Sequence, residues 1–219
     1  MATDSHWVNW HRLYEIDGSP LNLRLEIVQR HVRDELERRG HTGTRIVSLC
    51  AGQGRDVIGA LAGSPAAGVV HARLVELDPQ LVADARAAAS EAGLDGAVEI
   101  VEGDASTSDC VAGAVPANIV LACGIFGNIS DADIRGFVGT LPMLCAPGAL
   151  VLWTRHRRPP DLTPDVRGWF ADTGFEEVAF ESPDAAGVVA VGVHRLVGAP
   201  QPFRGGEHWF NFVGDGGVF

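Results

Sequence analysis

Basic residues are in short supply. Against 28 aspartates and glutamates the 219-residue chain sets only 17 lysines and arginines, a formal net charge of −11. A phosphate backbone is held by neutralising it with cations, so this balance argues against nucleic acid as a partner. Cysteine is scarce too. Cys50, Cys110, Cys123 and Cys145 lie far apart with no Cys-x-x-Cys pair, which fits reduced thiols inside a cell better than a disulfide framework. No stretch approaches the roughly 18 uncharged apolar residues of a membrane span. The start, Met-Ala-Thr-Asp-Ser-His-Trp, lacks the basic and apolar regions of a secretion signal. The expectation is a soluble cytoplasmic protein with no membrane partner. Glycine is plentiful at 27 residues but has no fixed period, which excludes collagen-like and repeat architectures. What remains is an ordinary globular composition, 46% apolar and 21% charged, in a chain long enough to bury a full core.

The order of elements narrows the fold. Leu21, Leu25, Val28, Val32 and Leu36 recur at helical spacing and share one face. Ile46 to Cys50 then reads as a short apolar strand buried on both faces. A glycine-bearing loop leads into a helix through Val57, Ile58 and Leu61, and a strand follows from Val70 to Leu77. Asp78-Pro79 opens an alanine-rich helix running to Gly93, proline standing where its missing N–H costs nothing. Further strands are expected over Val98 to Val101, Ile119 to Cys123 and Ala149 to Trp153, with a helix from Asp131 toward Cys145 disturbed by Pro142. Strands alternating with helices imply a parallel sheet with right-handed crossovers. After a helix opened by Thr163-Pro164, the tail holds three strand-like runs, Val178 to Phe180, Val188 to Leu196 and His208 to Val213. Two of the three are expected to form an antiparallel hairpin; their pattern does not say which two.

In such sheets ligands bind beyond the carboxyl ends of the strands. Those ends carry Leu49-Cys50-Ala51-Gly52-Gln53-Gly54, Val75-Glu76-Leu77-Asp78-Pro79, Gly103-Asp104-Ala105 and Ala122-Cys123-Gly124, and Pro147-Gly148 leads into the fifth strand. Over about Val47 to Trp153 the sequence resembles a class I S-adenosylmethionine-dependent methyltransferase. The resemblance implies a Rossmann-like, doubly wound α/β sheet, mostly parallel with a C-terminal antiparallel hairpin. It would comprise a helical N-terminal cap over 1–45 and an S-adenosylmethionine-binding domain over 46–219, both parts of one unit.

It also implies roles. Ala51, Gly52, Gln53 and Gly54 would meet the methionine part of the cofactor through backbone N–H groups that a side chain would obstruct. Two glycines are equally what a tight strand-to-helix turn uses. Glu76 would accept both ribose hydroxyls, with a rim ion pair as its other reading. Leu77 would cover an adenine face, Asp104 would accept from the adenine amino group, and the Ala105 N–H would point at the ring; Gly-Asp is also an ordinary turn pair. Asp78 reads as a helix cap. Cys123 would line the cofactor edge at the fourth strand. Arg24 is placed to meet the cofactor carboxylate, or is one more arginine on a solvated helix face.

Departures from the family pattern bear on the substrate. Asn118 stands where an acidic residue is common, and Ala122-Cys123-Gly124-Ile125 replaces the Asn/Asp-Pro-Pro-aromatic run of enzymes that methylate nucleobase or glutamine amides. No Asp-Asn pair ends the fifth strand and no His/Asp/Glu cluster has ligand spacing, so no metal is expected. Val57 stands where a nicotinamide-binding fingerprint needs its third glycine, which ranks an oxidoreductase lower. A domain that binds the cofactor for regulation, or uses another carbon of the sulfonium, would share the same cradle.

The acceptor is expected to be a small molecule. If its nucleophile must lose a proton, the candidate bases are His156 after the fifth strand and His11 and Tyr14 in the N-terminal segment, with His194 and His208 as further histidines by position. Trp7, Trp10 and Tyr14 would share one helix face, as core packing or as a lid. Arg155, His156, Arg157 and Arg158 form a basic run in an acidic chain. It reads either as a solvated loop pairing with Asp161 and Asp165, or as a site for an anionic group of the acceptor.

Overall fold

A computed structural model describes residues 18–40, 42–183 and 188–213. Its seven strands are β1 (Thr44–Leu49), β2 (Val70–Glu76), β3 (Val98–Glu102), β4 (Ala117–Ala122), β5 (Cys145–Arg155), β6 (Phe175–Glu181) and β7 (Ala190–Leu196). They lie in the order β3-β2-β1-β4-β5-β7-β6. The first five are mutually parallel, and β7 enters antiparallel between β5 and β6. The strand order reverses between β1 and β4, the switch point at which open sheets of this kind bind ligands.

Helices cover both faces. On one side α1 (Pro20–Arg38), α2 (Arg55–Leu61) and α3 (Pro79–Glu91) place Val28, Val32, Leu36, Val57, Leu61, Ala85 and Ala89 against Ile46, Leu74 and Leu121 of the sheet. On the other, α4 (Asp131–Thr140) and α5 (Thr163–Asp172) place Ile134, Phe137, Val166 and Phe170 against Val47, Val120, Val151 and Trp153. Continuous apolar strands are what burial on two faces requires, and β1 buries all but Arg45. The expected helix face in α1 is realised: Ser19 caps it, accepting the Asn22 N–H at 3.1 Å, and Pro20 occupies its first turn. No helix among the described residues is long and apolar enough to cross a membrane.

Three boundaries differ from expectation. The helix from Asp131 stops at Thr140, and Pro142 sits in a single 3-10 turn, so β5 begins at Cys145 rather than Ala149. Helix α5 begins at Thr163, so Leu162 and not Thr163 stands at its cap, and Asp161 just before it accepts the Thr163 N–H at 3.0 Å and hydroxyl at 2.7 Å through Oδ1. The hairpin is β6 with β7. The third run, His208 to Val213, joins no strand of the sheet; it makes two isolated bridges, Thr107 to His208 and Ile129 to Phe212. Its aromatic residues Trp209 and Phe210 are buried on Phe137, which fixes the segment across the carboxyl edge instead of alongside the sheet.

His194, a histidine that position alone left open as a base, lies in this core at 1% exposure. Its Nδ1 accepts the Trp153 indole N–H at 3.1 Å and its ring stacks on Phe170 with centroids 4.3 Å apart. Burial pulls its pKa down to about 4, with Glu177 acting weakly the other way. It serves packing and has no access to the sheet edge. Between the unfolded value near 6.5 and the folded value near 4 the unfolded chain binds more protons, so this contribution to stability is complete above pH 6.5 and is lost as pH falls toward 4. The loss amounts to about 3 kcal/mol. Urea unfolding measured across that window is expected to show a smaller pH dependence in His194→Gln than in the wild type, and equal slopes would contradict the assignment.

Candidate active site

The loop after β1 is held in a conformation few sequences tolerate. Gly52 and Gly54 have φ of 56° and 72°, and Cys50, with a side chain, has φ of 52°. Gly54 has no room for one: a Cβ there would lie 2.7 Å from Ile58 Cδ1 and 2.8 Å from Leu74 Cδ2. Backbone bonds close the turn, Ala51 N–H to the Val75 carbonyl and Gly54 N–H to the Ala51 carbonyl, each 2.9 Å. The Cys50 thiol is pushed well up by burial and by the nearby Glu76 and Asp104 carboxylates, so it stays protonated.

Glu76, the last residue of β2, organises two loops at once. Its Oε2 accepts the Gly52 N–H at 2.8 Å, and its Oε1 accepts the Leu77 and Asp78 N–H groups at 2.9 Å each. It makes no ion pair among the described residues, so the rim-pair reading falls. A carboxylate offers about four acceptor sites, so capacity remains for a further donor. Leu77 beside it is 64% exposed, an apolar side chain turned outward. Asp78 caps α3 as expected, its Oδ1 accepting the Gln80 N–H at 2.8 Å. Asp104 is exposed after β3, its Oδ1 accepting the Ser106 N–H at 2.9 Å, while Ala105 is buried beneath.

Two of the expected contributors have side chains bonded within the fold. The Gln53 amide donates to Asp84 at 3.0 Å and accepts from Arg55 at 2.8 Å, so the side chain braces the loop and leaves its backbone to face the edge. Arg24 is buried against Asp56 in the first turn of α2, with Nη2 to Oδ2 2.8 Å, and is not a solvated arginine. Cys123 is buried at the end of β4, its thiol pushed up to about 12 by burial.

Between β4 and β5 the structure assembles what sequence spacing did not reveal. The Gly124 N–H donates to Thr154 Oγ1 at 2.9 Å and the Asn128 amide to the Gly124 carbonyl at 2.7 Å, closing a turn against which the His156 ring lies, 3.8 Å from the position a Cβ on Gly127 would take. Gly124 and Thr154 meet only because neighbouring parallel strands bring residues about thirty apart together, a relation with no local signal. Burial, then the charges of Arg155 and Arg158, lower the His156 pKa, which keeps the imidazole neutral near pH 7. Arg155 is half-buried. It donates to the Phe126 carbonyl and lies 3.7 Å from Asp131, while Arg157 pairs with Asp161 at 3.0 Å. For these two arginines the pairing reading holds, with Asp131 an unforeseen partner. Arg158 makes no hydrogen bond or ion pair among the described residues. His208 is exposed on the tail segment. Trp7, Trp10, His11 and Tyr14 lie outside the described residues. No three His, Cys, Asp or Glu among the described residues are grouped to hold a metal ion.

The fold built this way is shared with known proteins. Magnesium protoporphyrin IX methyltransferase from Synechocystis PCC 6803, solved with bound SAM, is similar at a TM-score of 0.67 and 12% identity, over 88% of this chain and 91% of that one. An O-methyltransferase family protein from Burkholderia thailandensis gives a TM-score of 0.57 at 19% identity, covering 86% of this chain and 68% of that one. The [4+2]-cyclase SpnF is also similar, at 0.54 and 15% identity, covering 75% and 80%. At these identities the likeness is one of fold. No curated protein is significantly similar in sequence. A family model described as "Putative methyltransferase" matches residues 19–164, a span that runs from the cap of α1 through every strand end of the site. With most of its length matched, the chain belongs to that methyltransferase family.

Proposed function

We propose that the protein transfers a methyl group from S-adenosylmethionine to a small-molecule acceptor, and that His156 takes the acceptor's proton. The observation that carries the cofactor assignment is Glu76 with its neighbours: a carboxylate fixed by three backbone N–H groups, with capacity for another donor, next to an outward-turned leucine. The residues fit the cofactor in order along the edge. Gly52 and Gly54 keep the loop bare at the methionine end, where Arg24 and Asp56 form its flank. Glu76 receives the ribose, Leu77 lies on one adenine face, and Asp104 and the Ala105 N–H meet the ring's edge.

The cofactor supplies an already activated methyl on a sulfonium. The protein's own contribution is then chiefly alignment and exclusion of water. His156 stands at the mouth between β4 and β5, neutral and so able to accept a proton near pH 7. Arg158 is the member of the basic run left to attract an anionic group of the acceptor. Family membership favours methyl transfer over regulatory binding or another use of the sulfonium, which the fold alone would also house.

Two measurements test the reading. Calorimetric titration with S-adenosylmethionine and S-adenosylhomocysteine after exhaustive chelation is expected to give binding by the wild type. Glu76→Ala is expected to lose about 2 to 4 kcal/mol of it, roughly 30-fold to 1,000-fold in affinity. A folded Glu76→Ala protein with unchanged affinity would sink the ribose assignment. For the acceptor, incubation of radiolabelled cofactor with a metabolite extract is expected to yield labelled product. His156→Ala is expected to lower its rate at pH 7 by a factor on the order of 100 while leaving cofactor affinity intact. Wild-type turnover in that variant would move the base to the N-terminal candidates His11 and Tyr14.

A further inference from the structure

The tail after β7 lies beyond the span matched by the family model, and no step described so far uses it. It is nonetheless bonded to the loop after β3. The Ser108 N–H donates to the Glu207 carbonyl at 2.9 Å and the Trp209 N–H to the Ser106 carbonyl at 2.8 Å. The Glu207 N–H donates to Ser108 Oγ at 3.0 Å, and the Gly206 N–H to Asp109 Oδ1 at 2.9 Å. Farther along, the Val213 N–H reaches the Asn128 carbonyl at 2.9 Å, in the turn after β4. Between these attachments Trp209 and Phe210 are buried, their ring centroids 5.5 Å and 5.0 Å from that of Phe137.

The loop it grips is the one carrying Asp104 and Ala105. Within that loop the local bonds are few: Ser106 N–H to Asp104 Oδ1, and the Thr107 N–H and hydroxyl to the Asp104 carbonyl. None of them involves the Ser106 carbonyl, which Trp209 holds from outside. We infer that residues 206–213 form a strap that positions the adenine-binding loop. In it Trp209 is the positioning residue, acting through its backbone N–H on Ser106 and its ring anchored on Phe137. The inference rests on the cofactor reading above, which places adenine at Asp104 and Ala105. A loop ordered before the ligand arrives spares binding the entropy of ordering it. By reciprocity the ligand must in turn tighten the strap.

The test uses two probes, S-adenosylhomocysteine and adenosine, which share the adenine end and differ at the methionine end. Trp209→Ala is expected to bind both about tenfold more weakly, while Trp209→Phe, which keeps the anchor, stays within about twofold of the wild type. In the wild type, amide exchange over residues 206–209 is expected to slow several-fold when S-adenosylhomocysteine saturates the site. A folded Trp209→Ala protein with wild-type affinity for both probes overturns the proposal, as does a loss confined to S-adenosylhomocysteine, which would put the effect at the other end of the cofactor. Should Trp209→Ala fail to fold, the wild-type exchange measurement decides alone, and no slowing overturns the strap's role. A wild type that binds neither probe removes the cofactor reading itself, an outcome distinct from the others.

Discussion

A parallel sheet buried on both faces leaves polar chemistry only its edges, and that constraint shapes the rest of this molecule. The inner strands β1, β4 and β5 run through apolar layers, so backbone groups that leave the sheet at the carboxyl edge must find partners in the loops. Glu76 answers most of that need. By accepting N–H groups from the loops after both β1 and β2, one carboxylate fixes their relative position. The left-handed backbone at Gly52 and Gly54 costs glycine nothing; at Cys50 it is the one non-glycine positive φ among the described residues. The bare surface presented to a cofactor is a by-product of the same turn.

On the other side of the switch point the solution is different. The mouth between β4 and β5 is closed by side chains, Thr154 and Asn128 on Gly124 and Arg155 on Phe126, so that its shape follows from tertiary neighbours. Burying arginine there costs solvation, which lowers the Arg155 pKa, and the same burial together with the Arg155 and Arg158 charges keeps His156 neutral. One cluster of basic residues thus does two things. It braces the edge, and it tunes the His156 imidazole toward the unprotonated form.

The two halves are joined by the tail. Because Trp209 touches the loop after β3 and Val213 the turn after β4, the segment spans the carboxyl edge on both sides of the switch point. The family's matched region ends at residue 164, well before this segment.

The alternation of strands and helices, and the glycine turn beside Glu76, were legible in the amino-acid order alone. Apolar and strand-forming runs marked where β1 to β5 lie, though not where β5 begins, glycines marked the turn after β1, and Glu76 at the end of a mostly apolar strand announced a carboxylate with work at the edge. These signals are local, each carried within a handful of adjacent residues. Tertiary structure decided the rest. That His194 is a core residue, that Gln53 and Arg24 are committed to Asp84 and Asp56, and that Arg155 braces the Phe126 turn depend on partners distant in the chain. The pattern of His208 to Val213 is a strand's pattern, yet the segment joins no strand of the sheet, and its two aromatic residues are buried on Phe137 instead. Periodicity reports which side chains seek burial; only the packed fold says against what.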